Sequence, residues 1–404
     1  MALPVAGIRL GVAQAGIKKP NKDDLTVIEI AEGATVAAVY TQNAFCAAPV
    51  HIARAHWLAN ARTARFWLIN TGNANAGTGE LGMAAAQATC EALAEIAGLI
   101  GPIEVDASLV MPFSTGVIGE LLPADTINAA LPDAISALAT DGWPRAANAI
   151  LTTDTRPKLV SRQIDVDGKT VTLTGMSKGA GMIRPDMATM LAFMATDASV
   201  PQGLLDTLFK KAIDSSFNRI SVDGDTSTND AAVIAATGCS GVVIDEHNAL
   251  SLQHFSDALE SLCIELAQAI IRDGEGATKF VEVQVTEGAT TGECGAVAYT
   301  IAHSPLVKTA LFASDPNWGR LLAAIGRAGL ENLVVEDVSV YINEVLIAEH
   351  GARAGSYTEA QGVAAMAPTD LVIRVVLGRG DATCTVWTTD FSYDYVKINA
   401  EYRT

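Results

Sequence analysis

Residues 178–198 read KGAGMIRPDMATMLAFMATDA and lie near the middle of the 404-residue chain. A glycine-rich loop, broken by Pro185, leads into an apolar run from Met190 to Met194 that predicts a buried strand. The dipeptide Ala188-Thr189 lies between the loop and the strand. If the chain is cut there, Thr189 gains an α-amine with an ordinary pKa of about 7.7–8. Such an amine can act as a base for the threonine hydroxyl, so the stretch predicts a self-activating nucleophile.

Two other interpretations of this region compete with the first. Ala-Thr before an apolar run is also common at the start of an ordinary strand. Residues 175–179, GMSKG, match the pattern G-x-S-x-G of hydrolases that place a serine between a strand and a helix. Because Ala-Gly and then Pro185 follow the match, no helix is predicted there, and we interpret the match as accidental.

The run 178–198 resembles the self-cleaving segment of the ArgJ family, the ornithine acetyltransferases, also called glutamate N-acetyltransferases. The motif is long and unusual, and the resemblance extends along the whole chain. It implies an α/β (α+β) layered fold of the ArgJ/DmpA-like type and a self-cleaved N-terminal-nucleophile enzyme. Cleavage between Ala188 and Thr189 would give an alpha chain, residues 1–188, and a beta chain, residues 189–404, that share one integrated fold.

The composition limits the classes of partner. Half of the residues are hydrophobic and 18% are charged, which is typical of a globular protein with a large core. The formal net charge of −18 argues against nucleic acid or an anionic membrane as a partner. The six cysteines are scattered without a C-x-x-C pair, which favours free thiols over disulfides or zinc. With no signal peptide and no membrane-spanning run, we expect a cytoplasmic enzyme without metal or cofactor.

The first half of the chain alternates strand and helix patterns. Residues 1–60 are interpreted as short β segments, with runs at 25–30 and 34–40, and residues 66–70 predict a buried strand. Helices are predicted at 82–99, 124–138 and 144–150. Asp167-Gly168 between two apolar runs, 161–166 and 170–174, predicts a two-residue hairpin turn. Residues 71–77, TGNANAG, form either a loop where the backbone can approach a ligand or a plain turn.

Residues 109–119, LVMPFSTGVIG, predict a strand that ends in a turn at Thr115-Gly116. A glycine at such a turn can direct a backbone N–H into a cleft, and a threonine hydroxyl adds a second donor. Two donors are what an oxyanion needs in acyl transfer. A Ser-Thr-Gly turn is weak evidence by itself, but its similarity to the oxyanion-hole motif of the ArgJ family implies that Thr115 and Gly116 form that hole.

The resemblance also implies a set of substrate-binding residues. They are Thr152, Lys178, Thr189, Glu275, Asn399 and Thr404. Thr152 belongs to the segment LTTDTRPK, where Thr153 and Asp154 remain alternatives by proximity. Without the resemblance, Lys178 would be a solvated loop charge and Glu275, between two glycines in RDGEGATK, a helix cap. With it, Lys178 is expected to contact a substrate carboxylate.

The second half of the chain predicts helices at 201–216 and 248–273 and strands at 280–286, 338–342, 346–349, 371–377 and 382–388. Residues 304–319 are interpreted as a polar segment before a helix that ends near 327, and residues 396–404 as a closing strand and tail. The acidic segment 221–230, SVDGDTSTND, lacks the spacing of a calcium-binding loop. We interpret it as a polar active-site or interface loop.

The function implied by the resemblance is transfer of an acetyl group from N2-acetyl-L-ornithine to L-glutamate through an acetyl-Thr189 intermediate. The family also implies a heterotetramer of two alpha and two beta chains. Two alternatives remain open. Acetyl-CoA is a further donor that the sequence does not decide, and an N-terminal-nucleophile aminopeptidase or amidase would use water in place of glutamate.

Overall fold

The computed structural model describes residues 2–100, 105–184 and 190–401, so the predictions made for Ala188, Thr189 and Thr404 lie outside the described residues. The described residues form two compact units. Unit 1 comprises residues 2–100, 105–179, 190–218 and 226–270, and unit 2 comprises residues 180–184, 219–225 and 271–401.

The elements are numbered in chain order. The strands of the described residues are β1 (Ile8–Ala13), β2 (Leu25–Ile30), β3 (Thr35–Tyr40), β4 (Phe66–Asn73), β5 (Val110–Val117), β6 (Lys158–Val166), β7 (Lys169–Lys178), β8 (Leu191–Thr196), β9 (Ile220–Ser221), β10 (Ala231–Ala236), β11 (Phe280–Gly288), β12 (Ser339–Ile342), β13 (Val345–Glu349), β14 (Ala352–Arg353), β15 (Asp370–Val376) and β16 (Ala382–Thr389). The α-helices are α1 (Ala48–Ala59), α2 (Gly79–Ile100), α3 (Ala124–Ser136), α4 (Trp143–Ala149), α5 (Gln202–Ser215), α6 (Ala249–Arg272), α7 (Thr291–Ala302), α8 (Pro305–Phe312), α9 (Trp318–Gly326), α10 (Glu359–Met366) and α11 (Tyr393–Ala400).

Unit 1 contains two sheets that face each other. Its described strands pair in the orders β1-β2-β4-β5 and β3-β10-β8-β7-β6. Phe193 of the second sheet contacts Trp67 and Phe113 of the first, with ring centroids 5.9 and 5.1 Å apart. Helices α2 and α3 pack on the outer face of the first sheet. On the second sheet, Met194 of β8 lies against Cys263 of α6. The unit is therefore a layered α/β structure, as predicted.

Strand β8 lies inside the second sheet rather than at its edge. It pairs antiparallel with β7, where Lys178 is opposite Leu191, and parallel with β10, where Ala231 is opposite Leu191. All six of its residues are buried. The strand predicted for the apolar run is thus confirmed, and it begins two residues after Thr189.

Unit 2 is built on one mixed sheet with helices packed against it. Its described strands follow the order β14-β13-β12-β15-β11-β16-β9. Strand β11 pairs parallel with β15 and antiparallel with β16, and α7 packs on β11 and β16. The core consists of apolar side chains from β11, β12, β13, β15 and β16 and from α7 to α10.

Most of the predicted helices and the hairpin are confirmed. Helices α2 to α6 match the predicted segments within a few residues. In the hairpin β6–β7, Val166 is opposite Lys169, and Asp167 and Gly168 have φ angles of 53° and 77°. Positive φ at both central residues is what a tight hairpin turn of this twist requires.

Four predictions were wrong. Residues 1–60 are not only β segments, because Pro49 stands in the first turn of helix α1. The segment 304–319 contains helix α8, which Ser304 caps by accepting from the N–H of Val307. The supposed closing strand is helix α11, capped by Ser392. Finally, Thr115 and Gly116 lie within strand β5 and not in a turn after it.

The G-x-S-x-G match behaves as interpreted. Ser177 is buried within strand β7, and no helix follows that strand in the described residues up to 184. All six cysteines are free thiols. A search of the described helices found none with the length and apolar character needed to cross a membrane.

Candidate active site

The proposed oxyanion residues lie where β4 and β5 run side by side. The parallel register places Thr115 opposite Thr71 and Gly116 opposite Gly72. Gly116 has a φ of 140°, and a Cβ on it would lie 2.2 Å from the carbonyl carbon of Gly72. Residue 116 is therefore glycine because two backbones approach closely, and this also explains why the motif resembled a turn.

Thr115 is joined to Lys178 by a side-chain hydrogen bond. The Lys178 ammonium, at the end of β7, donates to Thr115 Oγ1 at 3.0 Å. Thr115 is buried, whereas Lys178 is half-buried. Because a hydroxyl oxygen that accepts a charged donor becomes a more polar O–H, this bond orients and strengthens Thr115 as a donor. The structure thus brings together two predicted site residues that are 63 positions apart in the sequence.

A buried ion pair between Asp154 and Lys158 stabilises the backbone next to Lys178. The Asp154 carboxylate accepts from Lys158 Nζ at 2.6 Å, and both side chains are almost fully buried. Asp154 also accepts from the backbone N–H of Gly179 at 2.7 Å and of Thr152 at 3.1 Å. Burial alone would raise the pKa of Asp154, but the charges of Lys178 and Lys158 outweigh it and lower the pKa to about 2. An ionised Asp154 therefore fixes the backbone on both sides of the candidate site, at Thr152 and next to Lys178.

A second buried carboxyl group stands close to Lys178. Asp230, just before β10, is 3% exposed, and its Oδ2 atom has no hydrogen-bond partner among the described residues. Burial raises the pKa of Asp230 well above its usual value, although a hydrogen bond from Ser227 and the charge of Lys178 oppose the shift. Burial therefore favours the protonated form of Asp230.

Unit 2 contains the other two predicted binding residues that the structure describes, Glu275 and Asn399. Glu275 is 7% exposed, and its Oε2 accepts from Asn399 Nδ2 of helix α11 at 2.7 Å. The backbone N–H of Glu275 donates to the carbonyl of Ala180 at 2.8 Å. A Cβ on Gly181 would lie 2.4 Å from Glu275 Oε2, so this carboxylate packs directly on the backbone of the quoted motif. Glu275 is therefore more than the solvated helix cap that its sequence context first indicated.

Asp223 fixes the motif from the same unit. Its carboxylate accepts from the N–H groups of Met182 at 2.6 Å and Ile183 at 2.8 Å. The carbonyl of Ile183 in turn accepts from Val222 N at 2.8 Å. Tyr395 of α11 donates to Asp223 Oδ2 at 3.4 Å, and burial together with nearby carboxylates raises the pKa of this tyrosine. The chain is thereby anchored a few residues before position 188.

The arrangement in the acidic loop also bears on metal binding. Across the described ranges, no group of three or more His, Cys, Asp and Glu residues is suited to hold a metal ion. Asp223 directs its oxygens at backbone N–H groups, including that of Asp225 at 3.2 Å. Asp223 therefore stabilises the loop conformation through backbone hydrogen bonds.

The predicted site residues therefore fall into two clusters. The unit 1 cluster contains Thr115, Gly116, Thr152 and Lys178, and the unit 2 cluster contains Glu275 and Asn399. Sequence reasoning named Asp154 only as an alternative contact and missed Lys158 and Asp223 as supports. The acid and base four residues apart in LTTDTRPK, and the carboxylates of the loop 221–230, were the available signals.

Comparison with known proteins identifies the family of the chain. The model of the ArgJ family matches residues 9–404. The chain is 55% identical over 402 residues to "Arginine biosynthesis bifunctional protein ArgJ" of Pseudomonas syringae pv. tomato, covering 99% of this chain and 97% of that protein. It is also 55% identical over 401 residues to the protein of the same name from Methylococcus capsulatus, covering 99% and 96%.

A solved structure is similar as well. The crystal structure of arginine biosynthesis bifunctional protein ArgJ from Bacillus halodurans shares 40% identity with a TM-score of 0.50. The alignment covers 52% of this chain and 99% of that chain. Because the family model spans almost the whole sequence and the relatives align over nearly their full length, this chain belongs to the ArgJ family.

Proposed function

We propose that this chain is an acyltransferase of arginine biosynthesis that moves an acetyl group from N2-acetyl-L-ornithine to L-glutamate. The observation that carries the proposal is the match to the ArgJ family across residues 9–404. The hydrogen bond from Lys178 to Thr115 supports it, because a polarised hydroxyl next to Gly116 suits an oxyanion hole. The reaction would take place in the cytoplasm, without metal or cofactor.

The active form arises by self-cleavage between Ala188 and Thr189. The hydroxyl of Thr189 attacks the carbonyl of Ala188, the peptide nitrogen leaves as the new α-amine, and water hydrolyses the resulting ester. The Bacillus halodurans chain supports this step, since it aligns over 99% of its length yet covers only 52% of this chain. Residues 1–188 and 189–404 then remain together, and two such pairs form a heterotetramer.

Acetyl transfer then proceeds in two steps. Thr189 Oγ attacks the acetyl carbonyl of acetylornithine while its own α-amine takes the proton. Thr115 and Gly116 donate hydrogen bonds to the oxyanion, and the amide C–N bond breaks so that ornithine leaves with that proton. The amine of glutamate next attacks acetyl-Thr189, which yields N-acetylglutamate and restores the free hydroxyl.

The remaining residues bind the two amino acids. Lys178 carries a positive charge suited to a substrate carboxylate, and Thr152 supplies a hydroxyl in the same cluster. Glu275, Asn399 and Thr404 bind the amino and carboxylate groups of the amino acid. Both substrates share an α-amino-acid skeleton, so one set of contacts serves the donor and the acceptor in turn.

An assay with acetylornithine labelled in the acetyl group tests the proposal. With glutamate present, label should appear in N-acetylglutamate, and Thr189→Ala should abolish both this transfer and the cleavage into two fragments. Label that appears only as free acetate, with or without glutamate, would identify an amidase instead. An intact wild-type chain that is fully active would contradict the cleavage.

Steady-state kinetics test the covalent mechanism, and an incubation with acetyl-CoA tests a second acetyl donor. Double-reciprocal plots for acetylornithine at several glutamate concentrations should be parallel, as expected for a covalent acetyl-enzyme. Intersecting lines would indicate direct transfer in a ternary complex. Incubation of labelled acetyl-CoA with glutamate in the absence of acetylornithine decides whether acetyl-CoA is also a donor.

A further inference from the structure

A group of buried asparagine side chains lies in unit 1 and has no part in the function described so far. Asn70 and Asn73 of β4 and Asn75 just after it are 5%, 4% and 0% exposed. Asn229, at the end of the acidic loop, is 7% exposed. Buried amides are costly unless hydrogen-bonded, so such a group needs a structural or functional reason.

Asn229 makes the contacts that matter most. Its Nδ2 donates to the carbonyl oxygen of Ser114 at 2.9 Å and to that of Ala74 at 2.5 Å. Its Oδ1 accepts from the Thr228 hydroxyl at 2.7 Å. Both amide N–H groups and the carbonyl oxygen therefore have partners. Ser114 directly precedes Thr115, so one end of the contact is the oxyanion strand.

The other end of the contact is the strand that follows the nucleophile. Two residues after Asn229, the N–H of Ala231 donates to the carbonyl of Met190 at 3.0 Å. Met190 is bonded directly to Thr189 in the sequence. A short path of hydrogen bonds thus runs from Met190, through residues 229–231, to Ser114 beside Thr115.

The remaining asparagines form a chain of hydrogen bonds that ends at Ser114 of strand β5. Ser114 Oγ donates to Asn70 Oδ1 at 2.5 Å, and Asn70 Nδ2 donates to the carbonyl of Asn73 at 2.8 Å. Asn73 Oδ1 accepts from the N–H of Asn75 at 2.7 Å. The side chain and the carbonyl of Ser114 are therefore both hydrogen-bonded. Asn229, which precedes β10 of the second sheet, is the asparagine that reaches across to Ser114 of the first sheet.

We propose that Asn229 is a positioning residue that sets the distance between Thr189 and the oxyanion donors Thr115 and Gly116. This inference rests on the proposed acetyl transfer and refines it. Misplacement of reacting groups by 1 Å can cost on the order of 10²-fold in rate. A single amide that ties the two facing sheets together, next to Thr115 and close in sequence to the partner of Met190, controls that distance. The same geometry serves the self-cleavage, which needs the same donors.

The test compares Asn229→Ala with Asn343→Ala. Asn343 of unit 2 also bridges backbone groups, since its Nδ2 donates to the Ala365 carbonyl and its Oδ1 accepts from Val372 N, both at 2.9 Å. Its φ is 50°, so alanine there is also strained, and the control loses stability for two reasons. Thermal unfolding, the rate of self-cleavage, KM and turnover are measured for both variants. Turnover is expressed per active site, counted from the burst of acetyl-enzyme.

We expect Asn229→Ala to slow cleavage and to lower kcat by about 10²-fold, with KM changed only a few-fold. Asn343→Ala should cleave and turn over like the wild type despite a similar fall in melting temperature. If the two variants have similar kcat per site and similar cleavage rates, Asn229 is merely structural and the inference is overturned.

Two further outcomes of this experiment also have a defined interpretation. If Asn229→Ala does not fold, Asn229→Ser replaces it, because a hydroxyl keeps one donor, and the same comparison applies. If the wild type cleaves but transfers no acetyl group, the proposed function fails. The cleavage rate of the Asn229 variant relative to the Asn343 variant then still supports or overturns the positioning role.

Discussion

Each unit contains a buried lysine, and the two lysines are stabilised differently. Lys158 of unit 1 is 2% exposed and forms an ion pair with Asp154. Lys308 of unit 2 is 1% exposed, and its ammonium donates to Thr388 Oγ1 at 3.0 Å and to the carbonyl of Thr389. It also lies 4.7 Å from the ring centroid of Phe391.

The difference concerns charge. The pKa of Asp154 is lowered to about 2, so its carboxylate is ionised near neutral pH beside Lys158. Burial lowers the pKa of Lys308 to about 7, and the carboxylates of Asp390 and Asp223 offset only part of that shift. The buried pair of unit 1 therefore contains a carboxylate that is ionised near neutral pH, whereas the buried lysine of unit 2 titrates near neutrality.

The largest expected effect is the loss of the fixed charge pair. Asp154→Asn leaves the buried Lys158 ammonium without its counter-ion and weakens the hold on Gly179. We expect a loss of about 3–5 kcal/mol in the free energy of unfolding, measured by urea denaturation. Asp23→Asn is the control in the same unit, because Asp23 pairs with Arg145 at the surface and should cost about 0–1 kcal/mol. Equal losses in the two variants would contradict the role assigned to burial.

The next effect concerns catalysis in the unit 1 cluster. Thr115→Val removes the donor that Lys178 polarises and keeps the shape of the side chain. A loss of about 10²–10³-fold in kcat is expected, with slower self-cleavage. Thr89→Val is the control, since that buried hydroxyl donates to the Ala86 carbonyl within helix α2. A Thr115→Val enzyme with normal turnover would exclude this residue from the oxyanion hole.

A smaller effect is expected in the pH dependence of stability that Lys308 causes. The pKa of Lys308 is lowered from 10.5 to about 7 on folding, so between these values the unfolded chain binds the extra proton. The stability of the wild type should therefore rise with pH across that window and lack this dependence below about pH 7. Lys308→Met should remove this part of the slope, which is at most about 1.4 kcal/mol per pH unit. Urea midpoints at several pH values measure it.

A control variant for this slope is available on the same helix. Thr309→Val removes an exposed hydroxyl that donates to the Pro305 carbonyl and changes no ionisable group. Its pH slope should equal that of the wild type. If Lys308→Met also keeps the wild-type slope, the buried ammonium does not titrate in this window.

The smallest effect is expected at the C-terminus. Helix α11 has no buried residue, so deleting residues 399–404 should leave folding and self-cleavage largely intact. The deletion removes the bond from Asn399 to Glu275 and should raise KM for both amino acids and the fraction of acetyl groups lost to water. The ratio of free acetate to N-acetylglutamate is the measurement. Unchanged KM values together with an unchanged ratio would make the tail a simple surface helix.

These elements also show how far the sequence alone could be interpreted. The hairpin at Asp167-Gly168 and the strand after Thr189 were predictable because turn chemistry and apolar runs are local signals. Helix α11 was not, because Val396 and Ile398 favour a strand locally. The Ser392 cap and Asp394 in the first turn, in a segment without strand neighbours, decide for a helix.

The hydrogen bonds that fix the candidate site residues could not be predicted from the sequence. Gly116 looked like a turn residue because close contact with Gly72 depends on the register of two strands 44 positions apart. The bonds from Asn229 to Ser114 and from Asp223 to Met182 likewise join residues distant in sequence. Such contacts depend on tertiary packing, and no local pattern encodes them.

The interior position of β8 has a consequence for how the protein must be made. This strand follows the proposed cut, but one of its two partners, β7, precedes it. A beta chain translated alone would expose an apolar edge where β7 belongs, and such an edge promotes aggregation. Translation as one polypeptide supplies β7 at a high effective concentration and fixes the stoichiometry of the two chains at one to one. We therefore expect the sheet to assemble while the backbone is still continuous and the proposed cut to follow folding.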